Sequence, residues 1–516
     1  MSAEVNTEAI LDMQRKLYRW SREDPTKDFA DLFNLVCDRR TLEMAWKRLA
    51  RNQGSNTPGT DGVTRRRIEE QPGGYPDYLR QLREELRDGT YRPQPVRQRL
   101  IPKPGKPGQM RPLGIPTLKD RLVQMALKII LEPIFETDFG PTSYGFRPGR
   151  CTHDAVARLV RLLHQTAHGP SRFAFVIEGD IKGCFDAIDH HLLMERLRLR
   201  IRDRKVLRLI RGFLKAGIMA EGRVRNPVTG TPQGGIVSPL LANVYLTALD
   251  ERYRRWTPGP QRNDDQRARD CRRRDHAKGR PAFYMVRYAD DFVALVAGSQ
   301  QDSLREKDAL ATFLGAQLKM ELSQEKTLIT PATAGFEFLG YRIVSERAVQ
   351  NRNLVGKPYI PKGKLKALRT RIKVMTARSQ IHRTLESLLK ELNPLIRGWR
   401  NYYRHAVGAS KEFGSLDWWL WHRIFRWLRK KHRGANTHYV RKRYRRVART
   451  GARVWGEGAR IMGTFLEGGT RPYPDRGTNL PGEWDFGVPR IRMDPKAHRI
   501  TMNALNRHFG APLAAG

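Results

Sequence analysis

The spacing of apolar residues changes twice along the chain and divides it into regions of different structure. Before about residue 51, apolar residues recur at helical spacing, as in FADLFNLVCDRRTLEMAWKRLA. Up to about residue 344, short apolar runs such as FAFVIEGDI and FYMVRYADDFVALVA alternate with helical segments, which predicts strands among helices. Beyond it, Leu365, Leu368, Ile372 and Met375 share one helical face. The pattern predicts an α+β domain followed by an all-α domain.

Four parts follow from this pattern and from the loops between the periodic segments. We expect an N-terminal helical extension at residues 1–55, the α+β domain at 56–345, the helical domain at 360–446 and a basic tail at 447–516.

Three local features carry expectations of their own. The apolar helix LVQMALKIILEPIF is expected to end before Pro133, because proline lacks the N–H that continues a helix. His190 and His191 are expected to begin a helix rather than bind metal, since no matching ligand spacing accompanies them. The highly charged stretch 261–280 is expected to be an exposed insertion.

The charge balance indicates the kind of partner. The 516 residues include 96 Lys and Arg against 53 Asp and Glu, a formal charge of +43, and the pI is about 10.7. Such an excess attracts polyanions and speeds their capture, which favours DNA or RNA. A membrane surface is the alternative. However, the chain shows no amphipathic anchor or lipidation motif and no apolar run long enough to cross a bilayer.

The spacing of the cysteines argues against two kinds of structural cross-link. Cys37, Cys151, Cys184 and Cys271 lie far apart and form no CxxC pair, so neither a zinc ribbon nor a disulfide framework is indicated. We expect them to be reduced apolar residues of a cytosolic protein. The N-terminus also lacks the basic-then-apolar pattern of a signal peptide.

Three acidic residues stand at the ends of apolar strands. Asp180 ends the run FAFVIEGD, while Asp290 and Asp291 occupy the tip of a predicted hairpin. If these strands are neighbours in one sheet, the carboxylates converge at one end, and divalent cations would offset their repulsion. Mg²⁺ prefers such oxygen ligands, and two ions about 4 Å apart can hold both reacting oxygens of a phosphoryl transfer. The alternative is an acidic, solvated hairpin tip without function.

Several segments in a fixed order resemble a reverse transcriptase. They are LIPKPGKPGQMRPLGIPTLKDR, DIKGCFDAIDHH, GTPQGGIVSPLLANVYL, YADD, ELSQEKT and FEFLGYRI. Their amino-acid sequences are similar to those of bacterial group II intron-encoded reverse transcriptases, or maturases. NQGSNTPGTDGVT resembles the extra N-terminal loop of that family, and LNPLIRGWRNYYRH resembles its thumb, or X, domain. The resemblance implies a right-hand polymerase with fingers and palm at 56–345 and a helical thumb/X domain at 360–446.

The resemblance implies roles for the acids. Asp180 matches the first metal-binding acid of the family and Asp290 the second, and Asp291 completes the catalytic cluster. The backbone carbonyl of Ile181 would be a further ligand of two Mg²⁺ ions. In this chemistry the primer 3′ oxygen attacks the α-phosphate of a deoxynucleoside triphosphate, and pyrophosphate leaves.

A nucleotide-binding site is implied by the same resemblance. It would consist of Lys103, Arg111, Phe185, Gln233, Gly234 and Lys326. The ring of Phe185 would exclude a ribose 2′-OH, the basic pair would grip the triphosphate, and the glycine turn would allow close backbone approach. Lys326 is a candidate to protonate or stabilise the leaving pyrophosphate. Each position also has an ordinary structural explanation: a core aromatic, a solvated basic loop, a simple turn and a surface lysine.

The helical domain is expected to bind a primer–template duplex and a structured intron RNA. The predicted contacts are Arg397, Arg400, Arg404, Lys430, Lys431, Arg441 and Arg443. Its interleaved tryptophans and tyrosines are expected mostly to pack the helical core. Many family members end in a Cys/His-containing HNH endonuclease. No CxxC pair follows Arg446, so we expect that domain to be absent from these residues.

Three functions remain open from the sequence. The first is an RNA-directed DNA polymerase that also assists splicing and retrohoming of its host intron, acting on target DNA in the bacterial cytoplasm and at the nucleoid. The second is a related polymerase that serves a defence, CRISPR-associated or diversity-generating system. The third is an RNA-binding splicing factor with a dead polymerase, against which the intact Asp180, Asp290 and Asp291 argue.

Overall fold

A computed structural model describes residues 3–102, 108–164, 173–220, 223–225, 229–230, 234–261, 263–348, 353–448, 451–477, 480 and 484. The helices are α1 (Ala3–Glu23), α2 (Phe33–Val36), α3 (Arg39–Ala50), α4 (Arg65–Glu69), α5 (Gly74–Arg87), α6 (Leu118–Glu136), α7 (Thr152–Leu162), α8 (Cys184–Ala187), α9 (His190–Arg198), α10 (Arg204–Lys215), α11 (Ser238–Arg252), α12 (Asp264–Ala277), α13 (Gln300–Leu318), α14 (Lys362–Met375), α15 (Leu385–Tyr403), α16 (Ala409–Lys431) and α17 (Thr437–Tyr444).

The strands are β1 (Val96–Pro102), β2 (Met110–Ile115), β3 (Phe175–Gly179), β4 (Ile218–Ala220), β5 (Arg223–Arg225), β6 (Ala282–Tyr288), β7 (Asp291–Ala297), β8 (Leu328–Pro331), β9 (Phe336–Phe338), β10 (Tyr341–Arg347), β11 (Leu354–Tyr359), β12 (Arg445–Val447), β13 (Arg453–Glu457) and β14 (Arg460–Ile461). Strands among helices up to β11, followed by α14 to α17, confirm the predicted α+β domain followed by a helical domain. A small sheet of three short strands, β12-β13-β14, follows α17.

The central helix α6 runs through Pro133 instead of ending before it. Proline removes the N–H that would bond to the carbonyl four residues earlier. That carbonyl, on Ile129, instead accepts a hydrogen bond of 2.8 Å from the Gln14 side-chain amide on α1. The expected break at Pro133 was therefore wrong, because a partner 115 residues away satisfies the freed group.

The central sheet carries the segments that contain the three predicted catalytic acids. Its order is β6-β7-β3-β8, and every neighbouring pair is antiparallel. Alternate residues face two different cores, as the strand period of two requires. Ile177 and Phe292 pack towards α6 and α11, whereas Val176 and Val293 pack with α7 and the thumb. The sheet is thus packed on both faces along β3, β6 and β7, whereas the edge strand β8 stays partly exposed.

A second sheet, in the order β2-β1-β4-β5, contains the predicted basic hairpin. β1 and β2 pair antiparallel from Arg97 opposite Ile115 to Pro102 opposite Met110, which confirms the hairpin. Its connecting residues 103–107 lie outside the described residues. α12 departs from the expected exposed insertion, because Ala268 and Cys271 are buried and the helix packs against β6.

The aromatic residues of the helical domain mostly fill its core, as predicted. Trp399, Tyr402, Tyr403 and Trp427 are buried, and a third small sheet, β11-β10-β9, joins this core to the palm. Trp418 is the exception, since 65% of its surface is exposed.

The described part of the C-terminal tail packs back on the protein. Arg476 forms a buried ion pair of 2.5 Å with Asp154 on α7, and the Tyr473 hydroxyl donates to the same carboxylate at 3.1 Å. Asp475 pairs with Arg158, also on α7. We call residues 463–477 the C-terminal strap, because they connect the thumb to the palm.

We expect Arg476→Ala to lower the free energy of unfolding by about 3 kcal/mol, because Asp154 would remain buried without its cation. Chemical denaturation followed by fluorescence measures the loss. The exposed pair Arg66–Glu70 provides a control, since Arg66→Ala should leave the free energy of unfolding nearly unchanged. If Arg476→Ala lowered the free energy of unfolding no more than Arg66→Ala does, the ion pair of the strap would add no stability.

Candidate active site

Strand register brings the three predicted acids to one end of the central sheet. Tyr288 pairs with Asp291 as the last pair of the β6–β7 hairpin. On the other side of β7, Gly179 pairs with Phe292, so Asp180 follows β3 directly beside the hairpin. A Cβ atom on Gly179 would lie 2.0 Å from the Phe292 ring, so this close approach requires glycine. The sequence predicted convergence of the acids if their strands were neighbours, and the pairing shows that the strands are neighbours.

Electrostatic coupling shows how near the acids are to one another. Burial raises the pKa of Asp290, Asp180 raises it further, and the Arg111 and Arg287 guanidiniums lower it in part. Dehydration by the surrounding protein and repulsion from Asp290 and Asp180 raise the pKa of Asp291. Solvent still reaches the Asp291 side chain from one side. The cluster therefore resists full ionisation until a cation compensates it.

Lys326 supplies one such positive charge. Its Nζ atom lies 2.7 Å from Oδ2 of Asp180, and both side chains remain partly open to solvent. Backbone bonds hold Asp180 in place, because its carbonyl accepts from the Ser323 N–H at 2.8 Å. Lys326 therefore lies at the acid cluster, where its single positive charge faces Asp180.

The backbone of Ile181 has an orientation that suits a metal ligand. Ile181 forms an isolated antiparallel bridge with Leu322, in which the flanking Asp180 carbonyl and Lys182 N–H make the hydrogen bonds. Carbonyls alternate in direction along an extended strand. The Ile181 carbonyl consequently points away from Leu322, towards the side where β7 and the hairpin lie.

The donors suit a hard divalent cation, although they are not arranged as a finished cage. Among the residues that the structure describes, no three His, Cys, Asp or Glu side chains are gathered as a ready metal-binding group. The contact between Asp180 and Lys326 explains part of this, since it turns one carboxylate towards an ammonium. Carboxylate and carbonyl oxygens are nevertheless the donors that Mg²⁺ prefers.

The predicted nucleotide residues that are described lie around this end of the sheet. Phe185 on α8 is half-buried and meets the Phe146 ring edge-on at 6.3 Å. Arg111 on β2 lies near enough to lower the pKa of Asp290. Gly234 has a φ of +118°, and a Cβ atom there would lie 2.2 Å from the Gly114 carbonyl oxygen on β2. Lys103 and Gln233 lie outside the described residues.

The predicted RNA-binding cations of the helical domain fall into two groups. The side chains of Arg397, Lys430, Arg441 and Arg443 are exposed. The other three are engaged with protein. Arg400 pairs with Glu467 at 2.8 Å, Arg404 donates to the Gly468 carbonyl, and Lys431 donates to the carbonyls of Ile381 and Arg383. Arg400 and Arg404 therefore hold the C-terminal strap, and only the first group presents open charge.

Sequence reasoning missed a basic face on α10. Its exposed side is formed by Arg204, Arg208, Arg211 and Lys215, and its other side is buried through Val206, Leu209, Ile210, Phe213 and Leu214. Within the described part of the chain none of these four cations makes an ion pair with an acid. The signal was present, since the basic residues recur at helical spacing among the apolar ones over about 16 Å.

Comparison with known proteins agrees with this geometry. Residues 101–343 match the family model for reverse transcriptase (RNA-dependent DNA polymerase), and residues 365–446 match the group II intron maturase-specific domain. The group II intron-encoded protein LtrA of Lactococcus lactis subsp. cremoris is 32% identical over 569 aligned residues, covering 98% of this chain and 90% of the relative. Protein YkfC of Escherichia coli strain K12 is 38% identical over 347 residues, covering 66% of this chain and 89% of the relative.

A more distant relative is an intron protein of yeast. The putative COX1/OXI3 intron 1 protein of Saccharomyces cerevisiae is 30% identical over 373 residues, which are 66% of this chain and 43% of that protein. In the described part of the chain, no helix is long and apolar enough to cross a membrane.

We expect Asp291→Asn to raise the melting temperature of the metal-free protein at pH 8 by about 1–2 °C. Because the folded state raises the pKa of this carboxyl, ionisation destabilises folding as the pH rises through its titration range. The gain should therefore shrink towards pH 4. Added Mg²⁺ should also reduce it, by stabilising the wild-type chain more than the variant. Differential scanning fluorimetry measures both trends, and a variant less stable than the wild type at pH 8 would contradict the assigned repulsion.

Proposed function

The chain belongs to the group II intron-encoded reverse transcriptases that carry a maturase domain, and from this premise we propose how its residues perform RNA-directed DNA synthesis. Asp180, Asp290 and Asp291, with the Ile181 carbonyl, hold two Mg²⁺ ions at the end of the central sheet. The convergence of the three carboxylates through strand register is the observation that carries the proposal.

The resident residues prepare the site in a defined way. When bound, the divalent ions supply Lewis-acid activation of the primer 3′ oxygen and charge stabilisation at the phosphate. Asp290 and Asp291 lie at the hairpin tip, and Asp180, which pairs with Lys326, would be the third carboxylate to hold the ions. Lys326 would then donate a proton or a hydrogen bond to the departing pyrophosphate.

The nucleotide pocket selects deoxynucleoside triphosphates by shape and charge. Phe185, supported by Phe146, presents a ring beneath the sugar, where a 2′-OH would clash. Arg111 binds the triphosphate together with Lys103. Gly234 lets the backbone beside Gln233 lie against the base pair, since a side chain at this position has no room.

Two basic surfaces bind nucleic acid in this proposal. The exposed thumb cations Arg397, Lys430, Arg441 and Arg443 follow the primer–template duplex and the host intron RNA. The basic face of α10 adds phosphate contacts on a second side of the protein. Through these surfaces the chain assists splicing, and its insertion of the intron into target DNA takes place in the bacterial cytoplasm, at the nucleoid.

The maturase-specific domain favours this function over its alternative. A polymerase that serves a defence, CRISPR-associated or diversity-generating system needs no intron RNA. The match of residues 365–446 to a group II intron domain supports the intron function.

We expect Asp290→Asn with Asp291→Asn to reduce primer extension on an RNA template by at least about 100-fold, because the loss of metal ligands removes several kcal/mol of charge stabilisation. Affinity for the RNA should change by less than about twofold. Asp265→Asn with Asp270→Asn on α12 is the control that makes the same two charge changes away from the sheet end. Near-normal extension by the double variant would refute the metal-site assignment.

Charge removal from the basic surfaces tests the proposed RNA contacts. Changing Arg397, Lys430 and Arg441 to Gln, or Arg204, Arg208 and Arg211 to Gln, should weaken RNA binding and reduce its salt slope by about 1 per lost phosphate contact.

The control triple variant changes Arg267, Arg269 and Arg273 on α12 to Gln. It removes the same charge, but each of these arginines already pairs with an aspartate. Filter binding at several salt concentrations separates the three variants. Identical slopes would show that net charge, rather than these surfaces, determines RNA affinity.

A further inference from the structure

Arg287 lies on β6, three residues before Asp290, and the Arg287 side chain is completely buried. Its guanidinium makes a two-pronged ion pair with Asp250, at 2.9 Å from Nε and 2.6 Å from Nη2. The Nη1 atom donates to the Asn243 side-chain oxygen and to the Ala289 carbonyl, both at 3.0 Å. All three guanidinium nitrogens are thus bonded, and one bond reaches the residue next to Asp290.

The hairpin tip needs such support because of its backbone conformation. Ala289 has a φ of +59°, in the left-handed region that residues other than glycine rarely occupy. Strained backbone of this kind persists only where surrounding contacts determine it, and it concentrates at functional sites. The bond from Arg287 to the Ala289 carbonyl fixes the peptide that leads into Asp290.

A loop before α7 closes around the same tip. The Arg287 N–H donates to the Thr142 carbonyl, and the Arg287 carbonyl accepts from the Tyr144 N–H. Gly145 packs so closely that a Cβ atom would lie 2.2 Å from the Ala289 nitrogen. Asn243 donates to the Gly145 carbonyl at 2.8 Å while accepting from Arg287. One side chain on α11 therefore connects the loop, the arginine and the hairpin.

We propose that Arg287, Asp250 and Asn243 are positioning residues that hold the Ala289–Asp290 peptide, and with it the Asp290 carboxylate, in the orientation that binds divalent cations. This inference rests on the proposed metal site and adds to it the part of the fold that determines metal affinity. Lysine cannot replace Arg287, because an ammonium lacks the planar set of donors that reaches Asp250, Asn243 and Ala289 together.

The test uses the full-length chain with Arg287→Lys and Asn243→Ala, because the second variant keeps the ion pair intact and protects the test against misfolding. Mn²⁺ binding is followed by electron paramagnetic resonance, with primer–template and a non-hydrolysable deoxynucleotide present. Single-nucleotide extension is measured over a range of Mg²⁺ concentrations, and melting temperature is recorded in parallel. Arg252→Lys is the control, because Arg252 lies on the same helix as Asn243 and Asp250 and makes a similar ion pair with Glu306.

We expect Asn243→Ala to raise the Mn²⁺ dissociation constant and the Mg²⁺ concentration for half-maximal extension about tenfold, and Arg287→Lys to raise both more strongly. The KM for the deoxynucleotide at saturating Mg²⁺ should stay unchanged. Arg252→Lys should leave metal binding at the wild-type value even where it lowers the melting temperature.

Two failures are distinguishable. If Asp290→Asn abolishes Mn²⁺ binding but Asn243→Ala and Arg287→Lys leave it unchanged, the positioning proposal is overturned and the metal site stands. If Asp290→Asn itself leaves Mn²⁺ binding and extension unchanged, the proposed function fails.

Discussion

The repulsion among three carboxylates that the β-sheet register forces together is the constraint on which the site depends. Asp180, Asp290 and Asp291 cannot separate, because the pairings of Gly179 with Phe292 and of Tyr288 with Asp291 fix the strands that carry them. The raised pKa values of Asp290 and Asp291 are the local cost of this arrangement. Stability is given up at the site in exchange for affinity for cations, as is common at functional sites.

The rest of the fold makes that cost tolerable. Both faces of the central sheet are buried in separate cores, so the strands cannot shift to relieve the repulsion. Arg287 and Lys326 both place positive charge near the cluster. Arg287 is buried and fully bonded, whereas Lys326 is accessible to solvent. The C-terminal strap joins the thumb to α7, next to the loop that closes on the hairpin. The surface that is expected to hold nucleic acid is thereby connected to the catalytic end of the sheet.

Local sequence patterns were sufficient for the elements and for the convergence of the acids. The alternation around Asp290 predicted the hairpin, and the resemblance of ordered motifs supplied the family.

Features that depend on distant residues were not predictable in this way. Nothing near Pro133 indicates that Gln14 will satisfy the Ile129 carbonyl. Likewise, Arg400 and Arg404 have the composition of an RNA contact, and only the folded chain shows them holding the strap. Arg287 makes four simultaneous hydrogen bonds with α11 and the hairpin tip, which no spacing rule reveals.

The most direct measurement is anomalous diffraction from Mn²⁺ in crystals of the protein with an RNA template, a chain-terminated DNA primer and the matching deoxynucleoside triphosphate. We expect two peaks about 4 Å apart, bound by Asp180, Asp290, Asp291 and the Ile181 carbonyl. Lys326 should then be withdrawn from Asp180 towards the triphosphate. Peaks elsewhere, or a primer end far from an Asp180 still paired with Lys326, would contradict the assigned site.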